Sequence, residues 1–181
     1  MRIYGNRQLK TLPGLETRPT TGRVREAVFN IWQNRVEGCR WLDLCAGNGS
    51  MGAEALCRGA GFVVGIEQNA KACAIIRQNW EKVASVEQFQ VIKGNVLSRL
   101  PQLAGQTFDF IYFDPPYDSP LYPPVLSAIA QLDLLSPDGE MALEHRPEQE
   151  SFELPSGLEI CRQKVYGNTA LTFIRRLESG V

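Results

Sequence analysis

The residues of this 181-residue sequence best suited to chemistry are Asp114, Pro115, Pro116 and Tyr117, which follow the apolar run 108–113. A short, aromatic and β-branched run is typical of a buried parallel strand, and two prolines must end it because neither can donate to the sheet. The carboxyl ends of such strands form a ligand crevice. There Asp114 and the Pro115 carbonyl could accept the two N–H groups of an exocyclic amine, while Tyr117 stacks on a flat base. The alternative is that Asp114 caps the next helix and Tyr117 belongs to the core, and the four residues alone do not decide between these roles.

A glycine-rich turn lies between two predicted elements earlier in the chain. The apolar strand 41–45 precedes Gly47, Gly49 and Gly52, and a helical pattern follows, which is the opening unit of a nucleotide-binding α/β sheet. Glycines let the backbone approach a ligand closely, and a helix N-terminus offers N–H groups. A second predicted strand, 62–66, is followed by Glu67, where an acid can accept hydrogen bonds from both hydroxyls of an adenosine ribose. The alternative role for Glu67 is to cap the next helix.

Asn95 follows a third predicted strand, 88–92, and is expected at the same crevice edge, where its amide could bond an adenine. Capping the predicted helix 96–103 is an equally open role. The remaining pattern predicts helices over 69–83 and 125–135, the second closed by Ser136 to Gly139, then strands over 140–144, 158–165 and 169–175. The last two strands are so close in sequence that they must be antiparallel.

The composition indicates one domain with a substantial core, since 44% of the residues are hydrophobic. The five cysteines are an odd number without a C-x-x-C pair, so we expect neither a disulfide framework nor a metal site. His145 is the single histidine and has no partner motif, which favours a structural role. Neither an apolar signal run nor a stretch long enough to span a bilayer is present, so a cytoplasmic protein with no membrane partner is expected.

The basic residues are concentrated at the N-terminus. Residues 1–40 carry eight Lys and Arg against three Glu, whereas the remainder carries 11 basic against 17 acidic residues. A hairpin is predicted over 2–12, then an extended linker to Thr21, then a helix whose apolar stripe begins at Val24 and leaves Arg23 and Arg25 on other faces. This end is a candidate contact for a polyanion, and the alternative is a solvated surface. The candidate contacts with such a polyanion are Arg2, Arg7, Lys10, Arg18, Thr20, Arg23 and Arg25.

Three stretches, in their order along the chain, resemble the RsmD family of bacterial class I methyltransferases. They are Arg18-Pro19-Thr20 followed by Arg23-Val24-Arg25-Glu26-Ala27-Val28-Phe29-Asn30, the stretch from Leu42-Asp43 through Gly47, Gly49 and Gly52 to Gly59-Ala60, and Asp114-Pro115-Pro116-Tyr117. Gly22 and Cys45 depart from the residues usual in the family. The resemblance implies an α/β fold with a doubly wound, mostly parallel seven-stranded sheet, an antiparallel final strand and a small N-terminal extension of hairpin and helix. It divides the chain into an RNA-contacting extension, 1–40, and a methyltransferase domain, 41–181.

The same resemblance implies methylation of the exocyclic N2 of a guanine in 16S ribosomal RNA, with S-adenosylmethionine as cofactor and a monomer acting on an assembling small subunit. Asp114, Pro115, Pro116 and Tyr117 are then the catalytic residues. The implied cofactor contacts are Asp43, Ala46, Gly47, Asn48, Gly49, Gly52, Glu67, Gln68, Asn95 and Val96. The alternatives are an N6-adenine methyltransferase of DNA or RNA, and a non-catalytic RNA-binding assembly factor.

Overall fold

The computed structural model describes residues 1–13, 21–149 and 151–177. The described residues form a small hairpin and a seven-stranded sheet with helices on both faces. The strands are β1 (Arg2–Ile3), β2 (Arg7–Gln8), β3 (Arg40–Leu44), β4 (Phe62–Glu67), β5 (Phe89–Lys93), β6 (Phe108–Phe113), β7 (Leu135–His145), β8 (Leu158–Tyr166) and β9 (Thr169–Arg176). The helices are α1 (Gly22–Ile31), α2 (Ser50–Cys57), α3 (Ala70–Glu81), α4 (Val96–Arg99) and α5 (Tyr122–Gln131).

The sheet has the order β5-β4-β3-β6-β7-β9-β8. Strands β3 to β7 are parallel to their neighbours within that group, and β9 is antiparallel to both β7 and β8. The chain starts in the centre at β3, runs to one edge and returns to build the other half, which is the doubly wound arrangement. The predicted fold class, including the antiparallel final strand, is therefore confirmed.

The sheet separates two hydrophobic cores. Helices α1, α2 and α3 cover one face, where Val28 and Phe29 of α1 and Trp32 just after it pack with Trp41 and Phe110 of the sheet. Helices α4 and α5 cover the other face. Because Ile3, Leu9 and the α1 residues belong to the first core, the described parts of residues 1–40, which are 1–13 and 21–40, fold together with the sheet. Their assignment as a separate RNA-contacting part stays a prediction.

The boundaries differ most around the fifth helix. Helix α5 begins at Tyr122 and ends at Gln131, earlier at both ends than the predicted 125–135. The helix can start this early because Pro123 and Pro124 lie in its first turn, where a backbone N–H needs no partner within the helix. Ser136 to Gly139 do not close a helix but belong to β7, so that prediction is wrong. The partner of β6 jumps from Leu135 to Glu140 between Phe108 and Phe110, and this bulge absorbs the turn-forming residues.

The N-terminal elements follow the predicted pattern in shorter form. Strands β1 and β2 pair around a 3₁₀ turn in which Gly5 and Asn6 have positive φ. Thr21 caps α1, since its hydroxyl accepts a hydrogen bond from Val24 N–H at 3.3 Å. In the parts of the chain that the structure describes, none of the helices combines the length and apolar character that crossing a bilayer requires.

Candidate active site

The carboxyl ends of three neighbouring strands lie level at one edge of the sheet. Leu44, the last residue of β3, is paired with Ile66 of β4 and with Phe113, the last residue of β6. The segments that follow these strands therefore leave the sheet side by side, and Asp114 N–H lies 3.5 Å from the Leu44 carbonyl oxygen. The glycine-rich turn, Glu67 and the Asp114 segment meet where ligands bind in open α/β sheets.

The glycine-rich turn presents bare backbone at this edge. Ala46 N–H donates to the Ile66 carbonyl at 3.1 Å, and Gly49 N–H donates to the Ala46 carbonyl at 2.8 Å. Gly47 has a φ of 58°, and a Cβ built on it would meet no atom of the described chain within 4 Å. A side chain at Gly47 would be strained by the backbone conformation and would cover open space. The turn can therefore accept a ligand against its backbone at Gly47.

The other two glycines have a packing role that sequence reasoning missed. A Cβ on Gly49 would lie 2.8 Å from Trp80 Nε1, and one on Gly52 would overlap the same indole ring. Trp80 lies in α3, is fully buried, and donates its indole N–H to the Gly49 carbonyl at 2.7 Å. Gly65 of β4 leaves room for the far side of the ring. Trp80 thus packs against the turn and holds it by a hydrogen bond. The G-x-G-x-x-G spacing alone does not show that Trp80 is the residue that packs on these glycines.

Three carboxylates surround the start of the turn. Asp43 is 2% exposed, and burial raises its pKa to about 7, partly offset by the Gly52 N–H that it accepts at 3.2 Å and reinforced by Glu67. Burial, together with the charges of Glu67, Asp114 and Asp43, raises the pKa of the Cys45 thiol to about 12. The carboxylates of Asp43, Glu67 and Asp114 therefore all lie close enough to Cys45 to affect its thiol. A cationic ligand here would be stabilised, and it would favour ionised Asp43.

Glu67 bridges the turn and the next helix. Its carboxylate accepts Gly47 N–H at 2.9 Å and Asn69 N–H at 2.8 Å. Asn69, not Glu67, is the residue that caps α3, since its side chain accepts the Lys71 and Ala72 N–H groups. A carboxylate has about four lone-pair sites, so Glu67 can still accept bonds from two hydroxyls. Its contact with a ribose stays a prediction.

Asn95 caps α4 in the structure, because its Oδ1 accepts Leu97 N–H at 2.9 Å. The cap does not use the Nδ2 donor, and the residue is exposed at the crevice edge beside β5. Capping and a bond from Nδ2 to an adenine are therefore compatible. Of the other predicted cofactor contacts, Gln68 is exposed, Val96 is buried at the start of α4, and Asn48 binds Ser50 N–H through its side chain at 3.1 Å.

The Asp114 segment leaves β6 in a fixed conformation. Pro115 is buried, Pro116 is exposed and Tyr117 is half-buried. The Tyr117 hydroxyl lies 3.0 Å from Thr169 Oγ1, which anchors the ring to the β8–β9 hairpin. No local sequence pattern links this hydroxyl to Thr169, since 52 residues separate the partners.

The alternative roles for the segment find no support in the described residues. Helix α5 begins after Leu121 without a side-chain cap, so Asp114 does not cap it. Asp114 instead lies near the Tyr122 hydroxyl, whose pKa is raised by burial and then by the Asp114 charge. Tyr117 belongs to neither hydrophobic core. His145 has both ring nitrogens within 2.8 Å of hydrogen-bond partners, the Arg146 carbonyl and Thr172 Oγ1.

The predicted RNA contacts fall into three groups, which are residues outside the described ranges, exposed residues and one buried residue. Arg18 and Thr20 lie outside the described residues. Arg2, Arg7, Lys10 and Arg23 are exposed. The predicted exposure of Arg25 is wrong, because this side chain is 5% exposed and forms an ion pair with buried Glu54 of α2. Its Nη2 also donates to the Arg2 carbonyl at 2.8 Å, so Arg25 holds the hairpin on the core.

Asn79, which sequence reasoning also missed, joins the N-terminal segment to the glycine-rich turn. This fully buried residue of α3 accepts Lys10 N–H at 2.8 Å and donates to the Lys10 carbonyl at 3.0 Å. The same amide donates to the Asn48 carbonyl at 2.9 Å. One side chain therefore fixes the turn relative to the segment that follows the hairpin.

Replacing Asn79 with alanine is expected to lower the free energy of unfolding by about 1 to 3 kcal/mol, because two backbone groups of Lys10 and one of Asn48 lose their partner. Denaturant unfolding measures this change. Gln78→Ala is the matched control, since Gln78 is exposed and contacts only the Lys10 ammonium, at 2.7 Å, among the described residues. Equal effects of the two substitutions would contradict the role given to Asn79.

Comparison with known proteins gives consistent matches across the chain. Residues 1–175 match the family model described as Conserved hypothetical protein 95. The Bacillus subtilis protein YlbH is 32% identical over 172 residues, covering 94% of each chain. The Escherichia coli protein named Ribosomal RNA small subunit methyltransferase D is 29% identical over 170 residues, covering 93% of this chain and 83% of its own. The solved structure of Escherichia coli yhhF superposes with a TM-score of 0.87 at 28% identity and covers 97% of both chains.

Proposed function

We propose that this chain, which belongs to the family described as Conserved hypothetical protein 95, is an S-adenosylmethionine-dependent methyltransferase of ribosomal RNA. The finer proposal is transfer to the exocyclic N2 of a guanine in 16S ribosomal RNA within an assembling small subunit. The protein acts there as a monomer in the cytoplasm. The relative named small subunit methyltransferase D supports the choice of ribosomal subunit.

The observation that carries the proposal is the meeting of three carboxylates, one bare backbone turn and the proline-fixed segment at one sheet edge. S-adenosylmethionine carries a sulfonium and an ammonium, and the carboxyl groups of Asp43, Glu67 and Asp114 all act on Cys45 at this edge, where a bound cation would be stabilised. The open backbone at Gly47 and the acceptor capacity of Glu67 suit the ribose end. The residues present therefore fit this cofactor.

The site would act mainly by positioning. When bound, S-adenosylmethionine supplies a methyl group on a positively charged sulfur. A guanine N2 is a poor nucleophile because its lone pair is delocalised into the ring. Asp114 and the Pro115 carbonyl would hold its two N–H groups so that the lone pair points toward the methyl carbon. Gly47 and Glu67 would hold S-adenosylmethionine, which would supply the methyl group and leave as a neutral thioether, and the methylated amine would pass one proton to water.

Access to the site requires that the guanine leave its stack. A guanine that is stacked and paired in structured RNA cannot bring its N2 amine to Asp114. The target nucleotide is therefore turned out of the stack and stacks on an aromatic ring of the protein. Tyr117 supplies that ring, and its hydrogen bond to Thr169 keeps the ring at a fixed angle. Removing the hydroxyl alone should therefore loosen the ring without removing the stacking surface.

The test is methyl transfer from labelled S-adenosylmethionine to separated 16S and 23S ribosomal RNAs and to small subunits, with the modified nucleoside identified. Label in N2-methylguanosine of 16S RNA is the expected result. Label in N6-methyladenosine would overturn the base assignment. RNA binding without turnover on any substrate would instead indicate an assembly factor.

Glu67→Ala is expected to weaken S-adenosylmethionine binding by roughly 10- to 150-fold, because loss of a charged acceptor removes about 1.5 to 3 kcal/mol of binding free energy. Titration calorimetry measures the dissociation constant. Glu81→Ala is the control, since Glu81 is an exposed acid at the end of α3. Unchanged affinity in Glu67→Ala, with the parent binding normally, would remove Glu67 from the cofactor site.

A further inference from the structure

Two arginine–tyrosine pairs lie beside the site. The guanidinium carbon of Arg146 lies 5.1 Å from the centre of the Tyr117 ring. That of Arg23, at the start of α1, lies 5.8 Å from the centre of the Tyr166 ring at the end of β8. Arg146 and Arg23 are exposed, and both tyrosines are half-buried. Each pair therefore places an exposed guanidinium beside a half-buried ring, and Arg146 also forms an ion pair with Asp118 at 3.5 Å.

Thr169 joins the two pairs. Its hydroxyl lies 3.0 Å from the Tyr117 hydroxyl, and its backbone pairs with that of Tyr166 across the turn at Gly167 and Asn168. Directly opposite residues of an antiparallel pair share a face and have Cβ atoms about 5 Å apart. Thr169 is 1% exposed, so it cannot shift easily. The Tyr166 ring is thus held on the same surface as Tyr117.

The basic charge of this surface extends along β8. Lys164 is paired with Leu171, a member of the core under α1, so Lys164 and Tyr166 share that face of the strand. Lys164 is exposed. Arg146, Lys164 and Tyr166 lie outside residues 1–40, and for that reason the N-terminal charge count did not indicate them.

We propose that Tyr166, with Arg23 and Lys164, binds single-stranded RNA by stacking a nucleotide that flanks the target base. The proposal rests on the proposed function, because the flanked base is the one that enters beside Asp114. Aromatic rings with neighbouring arginines are the usual means of holding unpaired bases. A duplex would present phosphates and 2′-hydroxyls to the same surface but no unstacked base, and the two rings would remain unused. The surface therefore selects a substrate that is unpaired at the target and at one neighbour.

The direct test is binding of fluorescein-labelled unstructured RNA and of a duplex of equal length, measured by anisotropy. Tyr166→Leu keeps apolar packing but removes the ring, and it should weaken single-strand binding by roughly 5- to 100-fold while duplex binding stays within about twofold. Tyr166→Phe should stay within about twofold of the parent for both RNAs. Val165→Ala, which changes an exposed neighbour on the other face of β8, should match the parent.

A second readout separates stacking from support of the fold. 2-Aminopurine placed next to the target guanine should be quenched by the parent and by Tyr166→Phe, and should stay bright with Tyr166→Leu. If Tyr166→Leu binds single strands like the parent and still quenches, the inference is overturned although methylation continues. If instead the parent methylates no ribosomal RNA, the proposed function fails, and the binding comparison still decides whether the surface holds single strands.

Discussion

Asp114→Ala is expected to lower the single-turnover rate of methyl transfer by about 100-fold or more. In the proposed mechanism the carboxylate is one of two acceptors for the target amine, and a preorganised polar contact in a site that works by positioning contributes at least that factor. The structure adds a reason why no neighbour can replace it, because the end of β6 and the two prolines fix the segment. Rapid-quench assays with saturating RNA and S-adenosylmethionine measure the rate.

Asp114→Ala should lower the rate of the methyl-transfer step and leave cofactor binding nearly unchanged. S-adenosylmethionine affinity should change by only a few fold, since the ribose is assigned to Glu67. Asp114→Asn should retain part of the rate, because an amide oxygen still accepts one N–H group. If Asp114→Ala transfers methyl groups at the parent rate, the amine is held elsewhere. If instead the cofactor is lost, Asp114 belongs to the cofactor site.

The strand ends of this site could be predicted because their signals are local. The apolar run 108–113, followed closely by two prolines, predicts a buried parallel strand that ends before the prolines. The geometry of a parallel sheet then brings Asp114 and Glu67 to the same edge. Trp80 and Asn79 could not be predicted in the same way. Their contacts with Gly49 and Asn48 span about 30 residues. A helical pattern shows that α3 has a buried face but not which backbone that face supports.

The two wrong predictions, for Ser136 to Gly139 and for Arg25, also arise from contacts between residues that are far apart in the sequence. Ser136 to Gly139 have the composition of a turn, and only the pairing of β6 with β7 shows that they form a bulge. Arg25 lies next to the apolar stripe of α1, and a charge there is normally solvated. The burial of Arg25 depends on Glu54, which is brought opposite it by the packing of α2. Charge counts identify a basic segment but not which of its side chains are used internally.

Glu54→Ala is expected to lower the free energy of unfolding by about 3 to 5 kcal/mol, which is the usual effect of leaving a buried charge without its partner. Glu54 is 2% exposed and binds Arg25 and, at 2.9 Å, Arg58. Arg58 can turn toward solvent but Arg25 cannot. Arg25→Ala should cost less, about 2 to 4 kcal/mol, because Glu54 keeps Arg58. Urea unfolding of both single variants and of the double variant measures these values.

Arg23→Ala is the matched comparison for Arg25→Ala, because the two arginines are two positions apart and only Arg23 is exposed. Arg23→Ala should leave the free energy of unfolding within about 0.5 kcal/mol of the parent. It should also lower the salt dependence of RNA binding by about 0.7 in the logarithmic slope, as expected for one lost contact with single-stranded RNA. Arg25→Ala should leave that slope unchanged under conditions where it is folded, since a guanidinium bound to Glu54 releases no counterion from RNA. A reduced slope in Arg25→Ala would mean that the ion pair opens when RNA binds.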